Sequence, residues 1–332
     1  MSSLDTNNNI EVGPVFMNIL MKHKQMRLDD DPDKCCASCG IEGVGDEKLK
    51  KCDGCDLVNY CSDACQEGHR PEHEEACKRR AAELRDDLLL KQPKGRHQGD
   101  CPICCLPLPI DQAKFAMTTC CSKRICNGCV YADTVRHRRE NRLQDQKCPF
   151  CRRPCVSGVG EDIMDDIIMK DFMKRAAAND PLTLCVLGKM AGQDEDYDSA
   201  FKYFTRAADL GDADAHNSLS IMLHLGLIEK DEKKEVYHME EASIAGHPDA
   251  RYNLGCHEAR NGRIERAVKH WIIAANLGFD ESITKLRQCF EEGYVSEEDF
   301  AAALRAHQDA VNATKSPQRE EEEKAYLEKR RT

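Results

Sequence analysis

Hydrophobic residues in the second half of the chain recur at the spacing of an α-helix. Ile163, Ile167, Ile168 and Phe172 fall on one side of a helix when the sequence is drawn at 3.6 residues per turn. Nearly all of the sequence between about residues 161 and 311 has this amphipathic character. The pattern predicts a long run of packed helices in this part of the chain.

The helical part also repeats itself. The repeated segments are AADLGDADAHNSL (207–219), SIAGHPDARYNLG (243–255) and AANLGFDESITKL (274–286). Their glycines, Gly211, Gly246 and Gly278, are 35 and 32 residues apart. Each is expected to end one helix, because glycine adopts the left-handed conformation of a helix C-terminus at little cost. A period of this length, with two helices per unit, predicts an α-solenoid.

Three further segments point to a known type of repeat. They are LGKM (187–190), NLGC (253–256) and SAFKYFTRAADLG (199–211). They resemble the SEL-one-like branch of the tetratricopeptide family, and the resemblance extends over roughly residues 179–311. It implies an array of helix pairs that binds other proteins. GLIEKDEKKEVYHMEEASIAG (226–246) departs from the pattern because it lacks an alanine after its lysine pair. Trp271 and Tyr203 are interpreted as core residues.

The first half of the chain has a different composition, dominated by cysteine. Of 21 cysteines, 18 lie between Cys35 and Cys155. This density indicates either disulfides in a secreted scaffold or zinc in a reducing compartment. The apolar run at 12–21 follows polar and acidic residues, unlike a secretory signal, and no apolar stretch is long enough to span a bilayer. We therefore expect a cytoplasmic or nuclear protein that binds zinc and does not associate with membranes.

Composition and charge further narrow the possible classes of protein and of binding partner. Aromatic residues make up only 5% of the chain, which favours several small units over one large core. The formal charge of −11 argues against nucleic acid and anionic membranes as partners. Proteins or peptides are the expected partners.

The first cysteine cluster has eight metal-ligand residues at regular spacings. They are Cys36, Cys39, Cys52, Cys55, Cys61, Cys65, His73 and Cys77. Zinc takes four such ligands, so eight residues predict two sites. Two residues separate the members of the first two pairs, as in tight turns that direct both sulfurs at one ion. Three residues separate the members of the last two pairs, which places them on one helix face.

The segments YCSDACQ (60–66) and RPEHEEAC (70–77) resemble the MYND finger. The resemblance implies two interleaved zinc sites. One would be formed by Cys36, Cys39, Cys61 and Cys65, and the other by Cys52, Cys55, His73 and Cys77. Arg70 stands where that family commonly has a tryptophan that contributes to peptide binding. Cys35 is one residue out of register and is interpreted as a spare.

The second cluster begins with CPIC (101–104) and ends with CPFCRRP (148–154), which resemble the two ends of a RING finger. The resemblance implies that Cys101, Cys104, Cys126 and Cys129 bind one zinc ion, and that Cys148 and Cys151 share a second ion with two ligands from residues 118–125. No histidine lies in that window, and lysine at position 123 has no lone pair to offer at neutral pH. We assign Cys120 and Cys121 as this pair, with His137 as an alternative ligand. Cys105 and Cys155 are interpreted as spare cysteines that do not bind metal.

Four zinc ions are expected in total, two in each finger. Four thiolates on a divalent ion leave a charge of −2. Basic residues close to the ligands could offset this charge, namely Lys123, Arg124, Lys147, Arg152 and Arg153.

The RING resemblance implies a ubiquitin ligase. Ile103 and Pro149 correspond to the groove that recruits a ubiquitin-conjugating enzyme, and Arg152 corresponds to the arginine that positions ubiquitin. The large aromatic residue usual in that groove is missing, because only Tyr131 lies nearby and it comes too early. The alternative is a zinc-stabilised scaffold that joins protein partners without activity. The order MYND, RING and SEL-one-like array also resembles multidomain proteins of algal protists.

The expected fold is a pair of small zinc-stabilised α+β modules, MYND and RING, followed by an all-α solenoid of helix pairs. The expected segments are a disordered tail (1–34), the MYND-type finger (35–77), a helical linker (78–98), the RING-type finger (99–156), the repeats (161–311) and a charged tail (312–332). Within the last, REEEEKAYLEKRR (319–331) is expected to be a solvated or frayed helix.

Overall fold

A computed structural model describes residues 35–42, 49–142, 146–154 and 161–330 of the chain. The expected N-terminal tail, residues 1–34, lies outside the described residues. The chain divides into two compact units, and the boundary falls between Leu88 and Leu89. Among the described helices, none is both long and apolar enough to cross a membrane.

The first unit combines a short hairpin with a long helix. Strands β1 (Lys50–Lys51) and β2 (Asn59–Tyr60) pair antiparallel, with Lys50 opposite Tyr60. Helix α1 (Asp63–Leu89) follows, and its last residue belongs to the second unit. The helix runs without a break from the first cysteine cluster into the expected linker. Its charged residues after Cys77 are good helix formers, and the chain first meets a helix breaker at Pro93.

The second unit begins with a compact module that we call the second cysteine module, residues 99–154. It contains a 3-10 turn (Gln112–Lys114), strands β3 (Phe115–Met117) and β4 (Arg124–Cys126), and helix α2 (Asn127–Arg139). The strands pair antiparallel, with Ala116 opposite Ile125. Leu108 and Ile125 are buried among the cysteines at its centre. This core is small, so burial of apolar side chains contributes only modestly to the stability of the module.

Ten helices follow in the rest of the described chain. They are α3 (Glu161–Ala177), α4 (Pro181–Gln193), α5 (Tyr197–Asp209), α6 (Ala213–Leu225), α7 (Glu232–Ile244), α8 (Pro248–Arg260), α9 (Ile264–Asn276), α10 (Asp280–Glu291), α11 (Glu297–Asn312) and α12 (Pro317–Lys329). The most extensive packing is within the pairs α4–α5, α6–α7 and α8–α9. Each pair then packs on the next, which is the arrangement of a solenoid.

The ends of the helix pairs follow from the repeated glycines. Gly211, Gly246 and Gly278 have φ of +84°, +86° and +88°, the left-handed conformation expected from the sequence. In each case the glycine N–H and the next N–H donate to carbonyl groups of the last helical turn, with N–O distances of 2.7–3.1 Å. The residue after the first glycine, Asp212, accepts from the N–H of Ala215 at 2.8 Å and so begins the next helix.

Small residues let the helices of a pair approach closely. A Cβ atom on Gly188 would lie 2.7 Å from the ring of Phe204, and one on Gly255 would lie 2.6 Å from Nε1 of Trp271. Trp271 is only 4% exposed and donates its N–H to the carbonyl group of Tyr252 at 3.3 Å. These contacts explain why the first and third repeats both carry a Leu-Gly pair in their first helix.

A buried carboxylate fastens the second cysteine module to the repeats within the second unit. Asp214, in the first turn of α6, accepts from Nη2 of Arg124 at 2.6 Å and from Nε2 of Gln112 at 3.4 Å. Nε2 of His97 lies 3.2 Å from the same carboxylate, and Nε2 of His247 lies at 3.5 Å. Asp214 therefore joins the module and the preceding segment to two repeats.

The C-terminal segment is a docked helix. Helix α12 lies inside the expected charged tail, and it packs against α2 of the second cysteine module. Gly128 permits this approach, because a Cβ atom there would lie 2.8 Å from the backbone of Arg319. The sequence of α12 is polar, and its contacts with the module include the side chain of Arg319 and the close approach at Gly128, neither of which produces a hydrophobic pattern.

Candidate metal centres

The first candidate centre lies at the N-terminal end of the first unit. Cys36, Cys39, Cys61 and Cys65 place their Sγ atoms within 4.8 Å of one another. The Cys39–Cys61 and Cys61–Cys65 sulfur distances are 3.6 and 3.5 Å. Cys65 lies in the first turn of α1, whereas Cys61 lies two residues before the helix begins. The helix face that the spacing predicts for this pair therefore carries only Cys65.

The second centre is formed by Cys52, Cys55, His73 and Cys77. Sγ of Cys52 and Sγ of Cys77 are 3.8 Å apart, and Nε2 of His73 lies 3.1 Å from Sγ of Cys55. Burial lowers the pKa of His73, which favours the neutral imidazole that a metal requires. Pairs of ligands alternate along the chain between the two centres. The first centre joins the loop at Cys36 and Cys39 to the start of α1, and the second joins the turn between β1 and β2 to the middle of that helix.

The second cysteine module contains two more groups of four. Cys101, Cys104, Cys126 and Cys129 form the one that we call centre three. Sγ of Cys104 lies 3.8 Å from Sγ of Cys126, and the N–H of Cys126 donates to Sγ of Cys101 at 3.5 Å. Three of the four residues are buried, and they include the last residue of β4, Cys126, and Cys129 in the first turn of α2.

Centre four brings together Cys120, Cys121, Cys148 and Cys151. The Cys121–Cys148 and Cys120–Cys151 sulfur distances are 3.6 and 3.3 Å. His137 lies instead on α2, where its Nδ1 is 2.9 Å from the carbonyl oxygen of Asp133. Four thiols therefore meet at this centre without a histidine.

A common turn explains how the ligands are aimed. In four of the five Cys-x2-Cys pairs of the described chain, the residue after the second cysteine donates its N–H to the carbonyl group of the first cysteine and has a positive φ. This holds at Gly40, Asp56, Cys105 and Arg152, with φ of +56° to +74° and N–O distances of 2.8–3.1 Å. Cys105 is exposed and lies outside the four groups of ligands. Its place in this turn was not visible from spacing alone.

The same turn accounts for the adjacent pair Cys120 and Cys121. Ser122 has φ of +52°, and its N–H donates to the carbonyl group of Thr118 at 2.8 Å. Thr118 thus stands where the first cysteine of such a turn would be, and Cys121 stands where the second would be. Cys120 then supplies the remaining thiol. Lys123 contributes only backbone groups to this turn, through its N–H and C=O contacts with Thr118.

All four groups fit zinc in donor type, number and spacing. Tetrahedral zinc with Zn–S bonds of about 2.3 Å separates sulfurs by about 3.8 Å, and the measured sulfur–sulfur distances are 3.3–3.8 Å. A disulfide would need about 2.05 Å. Clustered thiols also need a cation to ionise together.

The acidity of the thiols supports the same interpretation. Burial opposes ionisation of Cys36 and Cys101, but hydrogen bonds from backbone N–H groups lower the pKa values to about 6 and about 7. At Cys61 and Cys77 neighbouring thiols and burial raise the pKa to about 12. Some thiols in each group are thus ready to ionise, whereas others do so only when a cation offsets the added charge.

A fifth group of ligand-type residues, His97, Asp214 and His247, has a different chemistry. Nδ1 of His247 accepts from the N–H of Ala250 at 3.2 Å, so the proton of the neutral ring lies on Nε2, which faces Asp214. That nitrogen has no lone pair for a metal. Arg124 already pairs with the carboxylate. We therefore interpret this group as a hydrogen-bonded contact that joins the segment before the second cysteine module to the repeats.

Basic side chains near centres three and four pair with carboxylates or donate hydrogen bonds to backbone, hydroxyl and thiol groups. Arg124 pairs with Asp214, and Arg153 pairs with Asp171 of α3 at 2.5 Å. Arg175 of α3 donates to Oγ of Ser122 at 2.5 Å and to the carbonyl group of Cys120 at 3.3 Å. At centre three the guanidinium group comes from the distant Arg319, which donates to Sγ of Cys104 at 3.4 Å. Arg319 was not among the residues expected to offset the thiolate charge.

Comparison with known families identifies two parts of the chain. Residues 36–77 match the MYND finger family, and residues 184–212, 213–247 and 248–279 match the Sel1 repeat family. The chain contains a MYND finger and Sel1 repeats. The MYND match begins and ends at ligands of the first two centres, and the Sel1 matches correspond to the pairs α4–α5, α6–α7 and α8–α9. Together with the cysteine clusters, they indicate a zinc-binding protein built for protein interactions.

Several solved structures resemble the chain, including two bacterial proteins. One is a Sel1 repeat protein from Oxalobacter formigenes, with 24% identity and a TM-score of 0.39, covering 44% of this chain and 66% of that one. The other is a protective antigen of uropathogenic Escherichia coli strains that displays an SLR fold, with 21% identity and a TM-score of 0.35, covering 48% of this chain and 36% of that one. This chain therefore spans less than two thirds of either. No curated protein matches it.

The second cysteine module also carries an open apolar groove. The groove has a volume of about 660 Å³ and is lined by Ile103 and Pro149 from the two metal-binding loops. Val130 of α2 and Ile167 of α3 contribute further apolar surface. Ile103 is 45% exposed, and Arg152, three residues from Pro149, is exposed as well. These residues therefore present a surface that a protein partner could contact.

Proposed function

We propose that this protein is a RING-type ubiquitin ligase whose second cysteine module recruits a ubiquitin-conjugating enzyme. The observation that carries the proposal is the groove that contains Ile103 and Pro149. An exposed apolar groove of this kind is typical of a protein-binding site. Its position between two metal-binding loops is where the RING resemblance implies the conjugating enzyme should dock.

The groove has an unusual composition that bears on the partner. Asp133 and Arg136 of α2 line it and form an ion pair, in the region where a RING ligase usually has a large aromatic residue. Apolar area is supplied from outside the module by Met164, Ile167 and Ile168 of α3. The conjugating enzyme would therefore contact both the module and the first helix that follows it.

Arg152 is proposed to act on ubiquitin rather than on the conjugating enzyme. The turn after Cys148 holds its backbone at φ +60°, and the neighbouring Arg153 is anchored by Asp171. The backbone of Arg152 is therefore fixed while its side chain stays exposed. Such an arginine promotes transfer by holding the thioester in a reactive orientation, without forming a bond to ubiquitin.

Zinc in this account has a structural role. Each proposed centre offers four protein ligands, which fills a tetrahedral coordination shell and leaves no position for substrate. Bound zinc would cross-link the loops that carry Ile103 and Pro149. We propose four ions per chain, in the reducing environment of the cytoplasm or nucleus.

The other parts are proposed to select the proteins to be modified. Sel1 repeats generally mediate protein–protein interactions. In the MYND finger, a groove of about 590 Å³ is lined by Tyr60, Glu67 and Arg70. Arg70 gives this groove a charged lining where the family commonly has an aromatic one, so a peptide bound there would need charged side chains of its own.

The test is ubiquitin discharge from a panel of ubiquitin-loaded conjugating enzymes by the full zinc-loaded chain. Ile103→Ala is expected to weaken recruitment, because the loss of buried apolar area costs about 1–2 kcal/mol, roughly five- to thirtyfold in affinity. Arg152→Ala is expected to preserve recruitment and slow discharge. Leu225→Ala and Arg305→Ala, at exposed positions on α6 and α11, are matched controls.

A non-enzymatic scaffold is the second candidate. The ion pair of Asp133 and Arg136 in the groove favours it, because charged groups at that position reduce the apolar contact that a conjugating enzyme needs. If no enzyme of a broad panel is accelerated by zinc-loaded wild-type protein, the ligase proposal is abandoned for the scaffold. Native mass spectrometry of every variant separates loss of function from loss of zinc.

A further inference from the structure

One guanidinium group connects the C-terminal helix to centre three. Arg319 lies in the first turn of α12, and its Nη2 donates to Sγ of Cys104 at 3.4 Å and to the carbonyl group of Leu106 at 3.3 Å. Its Nη1 donates to the carbonyl groups of Pro107 at 2.8 Å and Thr314 at 2.6 Å. Two residues that follow the ligand Cys104 are therefore held by a side chain more than 200 positions away.

The backbone around Arg319 is held in place as well. Ser316 caps α12 by accepting from the N–H of Arg319 at 3.3 Å. Gly128, between the ligands Cys126 and Cys129, leaves just enough room for the Arg319 backbone. At the other end of the contact, Lys114 pairs with Glu323 at 3.2 Å. These contacts hold Arg319 beside the ligands of centre three.

We infer that Arg319 is a positioning residue for zinc at centre three and that the C-terminal helix is part of that centre. Four thiolates and one zinc ion carry a charge of −2, and a cation that donates to one of the sulfurs offsets part of it. The same guanidinium group holds the loop after Cys104 in the conformation that directs its thiol inward. The inference rests on zinc at centre three, as proposed above, and is independent of ligase activity.

This role distinguishes centre three from the other three. At centre four the corresponding arginine, Arg175, contacts Oγ of Ser122 and the carbonyl group of Cys120. Loss of Arg319 is therefore expected to affect one ion out of four. Groups that support metal ligands typically contribute 10- to 100-fold in metal affinity.

The experiment compares full-length wild-type protein with Arg319→Gln and Arg319→Lys. Zinc release to a chromogenic chelator is followed over time, the retained ions are counted by native mass spectrometry, and the freed thiols are identified by alkylation. In Arg319→Gln one ion should leave at least about 10-fold faster than in wild type. The thiols freed with it should be Cys101, Cys104, Cys126 and Cys129. Arg319→Lys should be intermediate, because lysine keeps the charge but cannot make four directed bonds.

Lys324→Gln is the matched control, since it removes one positive charge from an exposed position on the same helix. It should release zinc as wild type does. Equal release from wild type and Arg319→Gln would overturn the inference, and so would simultaneous loss of all four ions or of the far-UV helical signal. A wild-type protein that holds no ion at centre three would instead refute the zinc assignment.

Discussion

Asp214→Asn tests whether the second cysteine module is fastened to the repeats by one buried carboxylate. Asp214 is 4% exposed, and Arg124, its partner at 2.6 Å, is 16% exposed. The substitution preserves shape but leaves the guanidinium group without a counter-charge. Removing one member of a buried ion pair costs about 3–5 kcal/mol. For a unit of this size, that corresponds to a fall in Tm of roughly 6–20 °C.

Trp271 offers a direct assay. It is the only tryptophan in the chain and is buried in α9, so its fluorescence reports unfolding of the second unit alone. The control is Asp198→Asn, because Asp198 is an exposed acid in the first turn of α5, just as Asp214 is in the first turn of α6. The control loses only the interaction with the helix dipole, about 0.3–1 kcal/mol.

The pH dependence follows from the environment of Asp214. Burial raises its pKa, but hydrogen bonds from His247 and His97 and the charges nearby outweigh burial and hold the pKa well below its usual value. A carboxylate with a depressed folded-state pKa stabilises the fold above its unfolded pKa of about 3.9, and this contribution is lost as the pH falls through the folded value. The Tm difference should therefore be the same at pH 6 and pH 8. A Tm for Asp214→Asn within 2 °C of the Asp198→Asn control would refute the reasoning.

Three further predictions follow from the metal centres and the repeats. A chelator should unfold residues 36–151 yet preserve most of the far-UV helical signal, because the repeats are held by helix packing; loss of nearly all helical signal would mean that they depend on zinc. Cys120→Ser or Cys121→Ser should release the ion at centre four, whereas His137→Ala should retain it, as counted by native mass spectrometry; the reverse result would assign the histidine as the ligand. Gly255→Ala should cost about 1–3 kcal/mol by forcing a methyl group against Trp271, whereas Gly192→Ala, with its nearest contact at 3.9 Å, should be neutral or stabilising in thermal unfolding. Equal Tm values for the two glycine variants would contradict the close-packing argument.

Local patterns in the sequence were sufficient for the solenoid. The helical spacing and the repeated glycines predict helix pairs because both signals act within one or two turns of the chain. The three Sel1 matches and the left-handed glycines agree with that prediction. The prediction that the chain contains a MYND finger is likewise confirmed by the family match.

Interactions between distant residues left no such pattern. Arg319 and Cys104 are 215 positions apart, and Asp214 and Arg124 are 90 positions apart. In the sequence, Arg319 begins a run of charged residues that is typical of a solvated helix. The contact of Arg319 with centre three depends on the packing of α12 against α2, which no local pattern in the sequence indicates. The turn at Thr118 was hidden for another reason, because a threonine stands at the position that a cysteine usually occupies.

We propose that each of the four groups of four ligands holds one zinc ion. Native mass spectrometry of the full chain, purified without chelator, tests it most directly. Four zinc ions per chain are expected, with all sixteen ligand residues protected from alkylation or, for His73, from chemical modification. A folded protein that binds fewer than four ions at saturating zinc would contradict it.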